Sequence, residues 1–215
     1  MTTEEYKYLS GMKALPLKAL VCLVCLAGLL ATCKGQPVPA ADRILQDALH
    51  EASGGQKRIL VIFHASWCGW CRKMDSSLAD PSCRAFFDSQ FVICHITVLE
   101  SPDRRDRENP GGRGMMNRFG GSGKGIPYWV ILDERGTRLA DSRMPAGPGG
   151  ALAGDGNCGC PAQPAEVAYF ISVLKKTTPI TAGQADAIAR RFLRNASPVR
   201  MSLSPNRLNP LPMQY

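Results

Sequence analysis

The clearest pattern in the chain is the run Arg58 to His64, RILVIFH, a short apolar stretch rich in β-branched side chains. Such a run predicts a strand buried on both faces. Upstream, Ile44, Leu45, Ala48 and Leu49 recur at i, i+1, i+4 and i+5 across Ala41 to Ala52. That stripe predicts an amphipathic helix stopped by Ser53-Gly54-Gly55. Cys68 to Ala79 reads as a second helix ending before Asp80-Pro81. Phe91 to Val98 predicts a second strand, and Leu99 to Gly114, dense in charges among Pro and Gly, an exposed loop. Met115 to Phe119 offers one or two helical turns. Tyr128 to Leu132 predicts a third strand, joined by the turn Asp133-Glu134-Arg135-Gly136 to a hairpin partner at Thr137 to Ser142. After the Gly/Pro-rich Arg143 to Pro164, Ala165 to Lys176 carries Val167, Phe170, Ile171 and Leu174 on one helical face. A last helix is expected from Thr181 to Asn195. Strands and helices alternate first and a hairpin follows, so the expected class is α/β, a mixed sheet flanked by helices on both faces.

Composition narrows this only slightly. Of 215 residues, 45% are hydrophobic and 20% charged, which suits one globular domain with appendages. The net charge of +8 could suit nucleic acid or an anionic membrane. Much of it, however, lies after Asp186, in Arg190, Arg191, Arg194, Arg200 and Arg207. Without interleaved aromatic residues this is a basic tail, and nucleic acid is not an expected partner. The glycine-rich Gly120 to Gly125 is no phosphate loop either, because no Ser or Thr follows Lys124 and a strand, not a helix, comes next.

Ala19 to Thr32 is an unbroken run of small and apolar residues. As a helix it spans about 21 Å, short of the ~30 Å hydrocarbon core, so a signal-peptide core fits better than a spanning helix. Lys13 and Lys18 supply its positive flank, and Met12 is an alternative start to Met1. Two exits are available: Leu30-Ala31-Thr32-Cys33, similar to a bacterial lipobox that would lipidate Cys33, or the small residues of Val38-Pro39-Ala40. An uncleaved anchor is the third outcome. The expectation is export to the periplasm or the outer face of a bacterial membrane, where disulfides persist. The expected organisation is a signal and linker over 1–40, a domain over 41–178, and a helix with a disordered basic tail over 179–215.

Nine cysteines are present. Cys22, Cys25 and Cys33 belong to the signal segment, and Cys83 and Cys94 are expected to pack as small apolar side chains. Cys68-Gly69-Trp70-Cys71 carries the chemistry. It follows a buried strand and opens a helix, so unsatisfied N–H groups and the positive end of the helix dipole face the Cys68 sulfur. That environment lowers a thiol pKa from ~8.5 toward ~7, raising the thiolate fraction at pH 7 from roughly 3% to about half. Cys68 is then the attacking sulfur and Cys71, one turn in, the resolving one. Cys158-Gly159-Cys160 admits a local structural disulfide, a second redox pair relaying electrons, or free or metal-bound thiols. The rival class is a zinc site made of Cys68, Cys71, Cys158 and Cys160.

Together, the strand Ile59 to Phe63, the segment Ala65-Ser66-Trp67-Cys68-Gly69-Trp70-Cys71-Arg72-Lys73-Met74, and Gly125-Ile126-Pro127 entering a strand resemble the thioredoxin superfamily, over about residues 42–176. The resemblance implies a thioredoxin-like fold and a thiol–disulfide oxidoreductase, a monomer without cofactor or metal. Its partners would be protein thiols and disulfides and a redox partner protein. It also implies a cis Ile126–Pro127 bond facing the Cys pair, with Trp67, Gly69, Trp70, Ile126 and Pro127 binding substrate. The Trp-Cys-Gly-Trp-Cys variant is similar to exported thiol-reducing domains. Three departures stand out: Ile62 replaces the family's buried Asp, Trp70 replaces its Pro, and the Leu99–Gly114 loop is long. His64 or Asp75 are the candidates to replace that Asp as proton relay. A redox-silent binding module of the same fold is the other alternative.

Overall fold

The computed structural model describes residues 37–145 and 156–196. The expectations for the signal segment with Cys22, Cys25 and Cys33, and for the tail beyond residue 196, lie outside the described residues. Four strands, β1 (Arg58–His64), β2 (Phe91–Thr97), β3 (Tyr128–Leu132) and β4 (Arg138–Asp141), form one sheet in the order β2-β1-β3-β4. β1 and β2 are parallel, with Val61 opposite Cys94; β3 runs antiparallel to both β1 and β4. The helices are α1 (Ala41–Gly55), α2 (Gly69–Leu78), α3 (Arg84–Gln90), α4 (Gly112–Arg118), α5 (Pro164–Thr177) and α6 (Ala182–Leu193).

Because side chains alternate along a strand, the two central strands feed two separate cores. Leu60, Ile62, Trp129 and Ile131 point to one face, where they meet Met74 and Leu78 of α2, Phe86 and Phe87 of α3, Phe170 of α5, and Ile188 and Phe192 of α6. Ile59, Val61, Phe63, Tyr128, Val130 and Leu132 point to the other, against Ala48 and Ala52 of α1 and Met115 and Met116 of α4. Each of these strand side chains is fully buried, a gain of about 1.5–3 kcal/mol apiece for the larger aliphatic ones. α6 thus closes the same core as α5. Its Thr181 N-cap and Gln184 form a capping box that fixes where it begins.

Three elements depart from the sequence reading. α1 does not stop at Ser53: it continues through Gly54 and Gly55 and ends where Gln56 turns left-handed at φ 52°. Gly is a poor helix former, but two such residues at a C-terminus cost little when the preceding turns are packed. α3 is absent from the sequence reading, because seven residues are too few to display a helical period. The segment Leu99–Gly114 is not a simple exposed loop. It carries a 3-10 turn over Pro102–Arg107, and Glu100 and Asn109 within it are buried. Asn109 Oδ1 accepts the Thr97 N–H at the end of β2, while its Nδ2 donates to the carbonyl of Pro39. Polar side chains here satisfy backbone groups, which hydropathy alone does not reveal. Among the described residues no helix is long and apolar enough to cross a membrane.

Candidate active site

The site stands where β1 ends and α2 begins. Cys68 is the N-cap of α2, in extended conformation, and its Sγ accepts the N–H of Cys71 at 3.1 Å. The helix expected from Cys68 therefore starts one residue later, which leaves Cys68 at the positive end of the dipole. Cys68 and Cys71 are joined by a disulfide. That bond removes them from any zinc site, and among the described residues no group of three or more His, Cys, Asp or Glu side chains could hold a metal ion. The four-thiolate reading is thereby corrected: its two Cys pairs are in different states, one oxidised and one free.

Both half-cystines are buried, 3% and 2% exposed, and pack with Ala65 and Ile126. Trp67 and Trp70 flank them in the open, at 55% and 46% exposure. The Trp67 indole donates to the carbonyl of Leu99, and Lys73 Nζ sits 4.2 Å above the Trp70 ring. Across from the motif the Ile126–Pro127 bond is cis, and the Ile126 carbonyl oxygen lies 3.6 Å from Cys68 Sγ. Trp70, Ile126 and Pro127 thus line one mouth.

Beneath the mouth lies a strut that sequence reasoning missed. Glu100, 5% exposed, accepts both the N–H of Ser66 at 2.6 Å and its hydroxyl at 2.8 Å. Its own N–H donates to Glu108, which is held in turn by Arg113. The long loop after β2 therefore grips the residue two before Cys68. Replacing Glu100 with Ala strands the Ser66 donors in a buried setting and is expected to cost about 2–3 kcal/mol in urea unfolding. The same change at exposed Glu51 should stay within about 0.5 kcal/mol. A loss below about 1 kcal/mol at Glu100 would show that the strut does not hold the motif.

The two candidate proton-relay residues do not stand alone. The Asp75 carboxylate lies 2.9 Å from His95 Nε2, and His95 packs edge-on against His64, with ring centroids 5.1 Å apart. His64 Nε2 in turn lies 3.3 Å from the Thr97 hydroxyl. Burial, reinforced by the neighbouring His95, lowers the His64 pKa, while Asp75 and Glu100 oppose the shift. His64 and Asp75 thus belong to one cluster whose centre, His95, the sequence hid inside an ordinary strand.

Cys158 and Cys160 are free thiols, 7% and 5% exposed, so the local-disulfide reading is not what the structure holds. They line a groove of about 290 Å³ together with Trp70, Ile126, Pro127 and Glu166. Cys83 and Cys94 are buried, as expected of packing residues. Burial pushes Cys94 up to about 12, and raises Cys83 as well.

A disulfide-bonded Cys-x-x-Cys at a helix N-terminus, opposite a cis-proline on a mixed sheet of order 2-1-3-4 with flanking helices, gives this domain a thioredoxin-like fold. Residues 41–134 match the family described as thioredoxin-like. Similar solved structures include a disulphide isomerase from Xylella fastidiosa Temecula1, 23% identical, covering 51% of this chain and 77% of that one at a TM-score of 0.40. Another is DsbH oxidoreductase, 21% identical over 64% of this chain and 83% of its own, TM-score 0.38. A third is the oxidised C-terminal domain of DsbD from Neisseria meningitidis, 19% identical over 48% and 84%, TM-score 0.33.

Proposed function

We propose that this protein is an exported thiol–disulfide oxidoreductase that exchanges disulfides with protein substrates, with Cys68 attacking and Cys71 resolving. Its direction is reduction, or electron relay from a redox partner protein. The observation that carries the reading is the Cys68 sulfur at the N-cap of α2, accepting the N–H of Cys71. A thiolate released there is stabilised by the helix terminus, which makes Cys68 both the better nucleophile at neutral pH and the better leaving group. Cys71 sits inside the first turn, within bonding reach of the same sulfur. Trp67, Gly69, Trp70, Ile126 and Pro127 would contact the substrate segment, and the Ile126 backbone would pair with it. Asp75, one turn beyond Cys71 on α2, ties that turn to His95 and His64, and this cluster would move the Cys71 proton, since Ile62 cannot.

A redox titration of the full chain tests this. The protein is equilibrated in graded thiol/disulfide buffers and alkylated, and each Cys pair is then read by peptide mass spectrometry. Cys68/Cys71 is expected to cycle as one two-electron pair, nearer about −270 mV than about −120 mV if the protein reduces its partners. A pair that never opens or never closes would leave a redox-silent binding module in its place. Export rests on Ala19 to Thr32 and on Cys33. The intact mass of the mature chain checks it, by showing a lipidated Cys33, a cut near Ala40, or the retained segment of an anchor.

A further inference from the structure

We propose that Cys158 and Cys160 form a second dithiol that passes its electron pair to the Cys68–Cys71 disulfide of the same chain. This rests on the exchange activity proposed above and adds an internal donor to it.

The two pairs abut neighbouring residues of one loop. Cys68 Sγ lies 3.6 Å from the Ile126 carbonyl oxygen. On the adjoining residue, the Cys158-Gly159-Cys160 turn is pinned to Pro127. Asn157 Nδ2 donates to the carbonyls of Gly125 at 2.7 Å and Pro127 at 3.1 Å, and the Trp129 indole donates to the Gly159 carbonyl at 2.8 Å. A Cβ on Gly159 would stand 2.9 Å from the Pro127 oxygen, and its φ is +46°, so only glycine brings the turn this close. Both sulfur-bearing residues line the groove that Trp70 shares with the motif. Packing alone would be served by alanine or valine at these positions; what two cysteines add is redox chemistry.

The surroundings assign the roles. Asn195 Nδ2 lies 3.4 Å from Cys160 Sγ, and the charges of Lys73 on α2 and Arg191 on α6 favour a Cys160 thiolate, against Glu166 on α5 and Asp75 on α2. Cys158 faces Glu166 and Asp141, which oppose its ionisation, as does Cys160 itself. The Asn195 amide beside the Cys160 sulfur, a donor to the thiolate, makes Cys160 the attacking one. Its thiolate forms a bond to Cys68 Sγ, the Cys68–Cys71 bond breaks, and Cys71 leaves with the electron pair and takes up a proton. Cys158, losing its proton, then attacks Cys160, and Cys68 leaves as thiolate. One disulfide and two thiols enter and leave, two electrons move from the second pair to the first, and no outside oxidant or reductant is consumed. Burial pushes both thiols of the second pair up to about 12, whereas Cys68 sits at a helix N-terminus. Exchange thus moves negative charge to the sulfur that holds it better, which sets the direction. The thiolate is the attacking form and burial disfavours it, so the transfer should accelerate as the pH rises from 7 to 9.

The test uses the full chain carrying Cys71→Ser and Cys158→Ser, exposed to glutathione disulfide and read by peptide mass spectrometry without reduction. A Cys68–Cys160 cross-link is expected, more abundant than the Cys68–Cys158 link in the Cys71→Ser/Cys160→Ser chain. Cys68 carrying glutathione while Cys160 stays a thiol would overturn the proposal and leave the exchange activity standing. If Cys68 reacts with neither, the exchange activity itself fails. A measurement on the unaltered chain guards against misfolded variants. Fully reduced protein is given oxidant for one disulfide per chain, and the disulfide should be found on both pairs, redistributing faster at pH 9 than at pH 7. Residence on Cys68/Cys71 alone at every pH would also overturn it.

Discussion

Cys68→Ser is expected to abolish reduction of a protein disulfide, by about 10³-fold or more, because it removes the sulfur placed to accept charge at the helix terminus. Cys71→Ser should behave differently. Its Cys68 still attacks, but no thiol within the first turn of α2 releases the product, and the buried Cys160 releases it only slowly at neutral pH, so the mixed disulfide with the substrate accumulates before it turns over. Non-reducing electrophoresis with a disulfide-containing protein substrate separates the two outcomes: no adduct with the Cys68→Ser chain, an accumulating adduct with the Cys71→Ser chain that persists when Cys160→Ser is added. The opposite pattern would reverse the assigned roles. Equal activity of both variants would remove the motif from the chemistry altogether.

Trp129→Ala is expected to be the most damaging change away from the motif. The indole is fully buried in β3, packs against Phe170 with ring centroids 5.4 Å apart, and donates to the Gly159 carbonyl. Truncation removes the ring contacts and leaves a cavity, which costs about 3–5 kcal/mol. Against a typical total of about 5–15 kcal/mol, that brings the domain close to unfolding. Trp129→Phe separates the two contributions. It keeps most of the packing but strands the Gly159 carbonyl, for a loss of about 1–3 kcal/mol. Urea unfolding measures both, with alkylation of Cys158 and Cys160 as a local readout. The Phe variant should expose these two thiols before it exposes Cys94. If Cys94 reacts first, Trp129 does not hold the groove wall.

Strong patterning is why β1 and β3 were legible to the residue: an unbroken apolar run between polar ends leaves a strand nowhere to go but the middle of a sheet. α5 and α6 were legible to within a residue or two, because an apolar stripe and a Thr181 cap mark them. The place of Cys68 and Cys71 at the start of α2 was legible because strand, Trp, Cys-x-x-Cys and helix are contiguous. α3 was not, for its Phe86 and Phe87 pack on Phe91 beyond its end and on Phe170, which lies far along the chain. Glu100 was hidden for a similar reason. In sequence it is one more charge in a charged segment, and only the fold sets it against Ser66. His95 reads as a polar break in a strand until Asp75, twenty residues earlier, comes to lie beside it.

By itself the sequence determined what depends on near neighbours: the strands and most helices, the helix terminus under Cys68, and the chemistry that a terminus gives a thiol. It also carried the Gly-Ile-Pro step that enters β3. The tertiary structure decided what depends on residues brought together from afar. It joined Glu100 to Ser66, drew His64, His95 and Asp75 into one cluster, and set Gly159, between Cys158 and Cys160, against Pro127. Local patterning fixes backbone conformation through sterics and burial within a turn or a strand pair. Partners for buried polar groups and thiols are fixed only when the whole sheet and its covering helices close, because until then water satisfies them equally well.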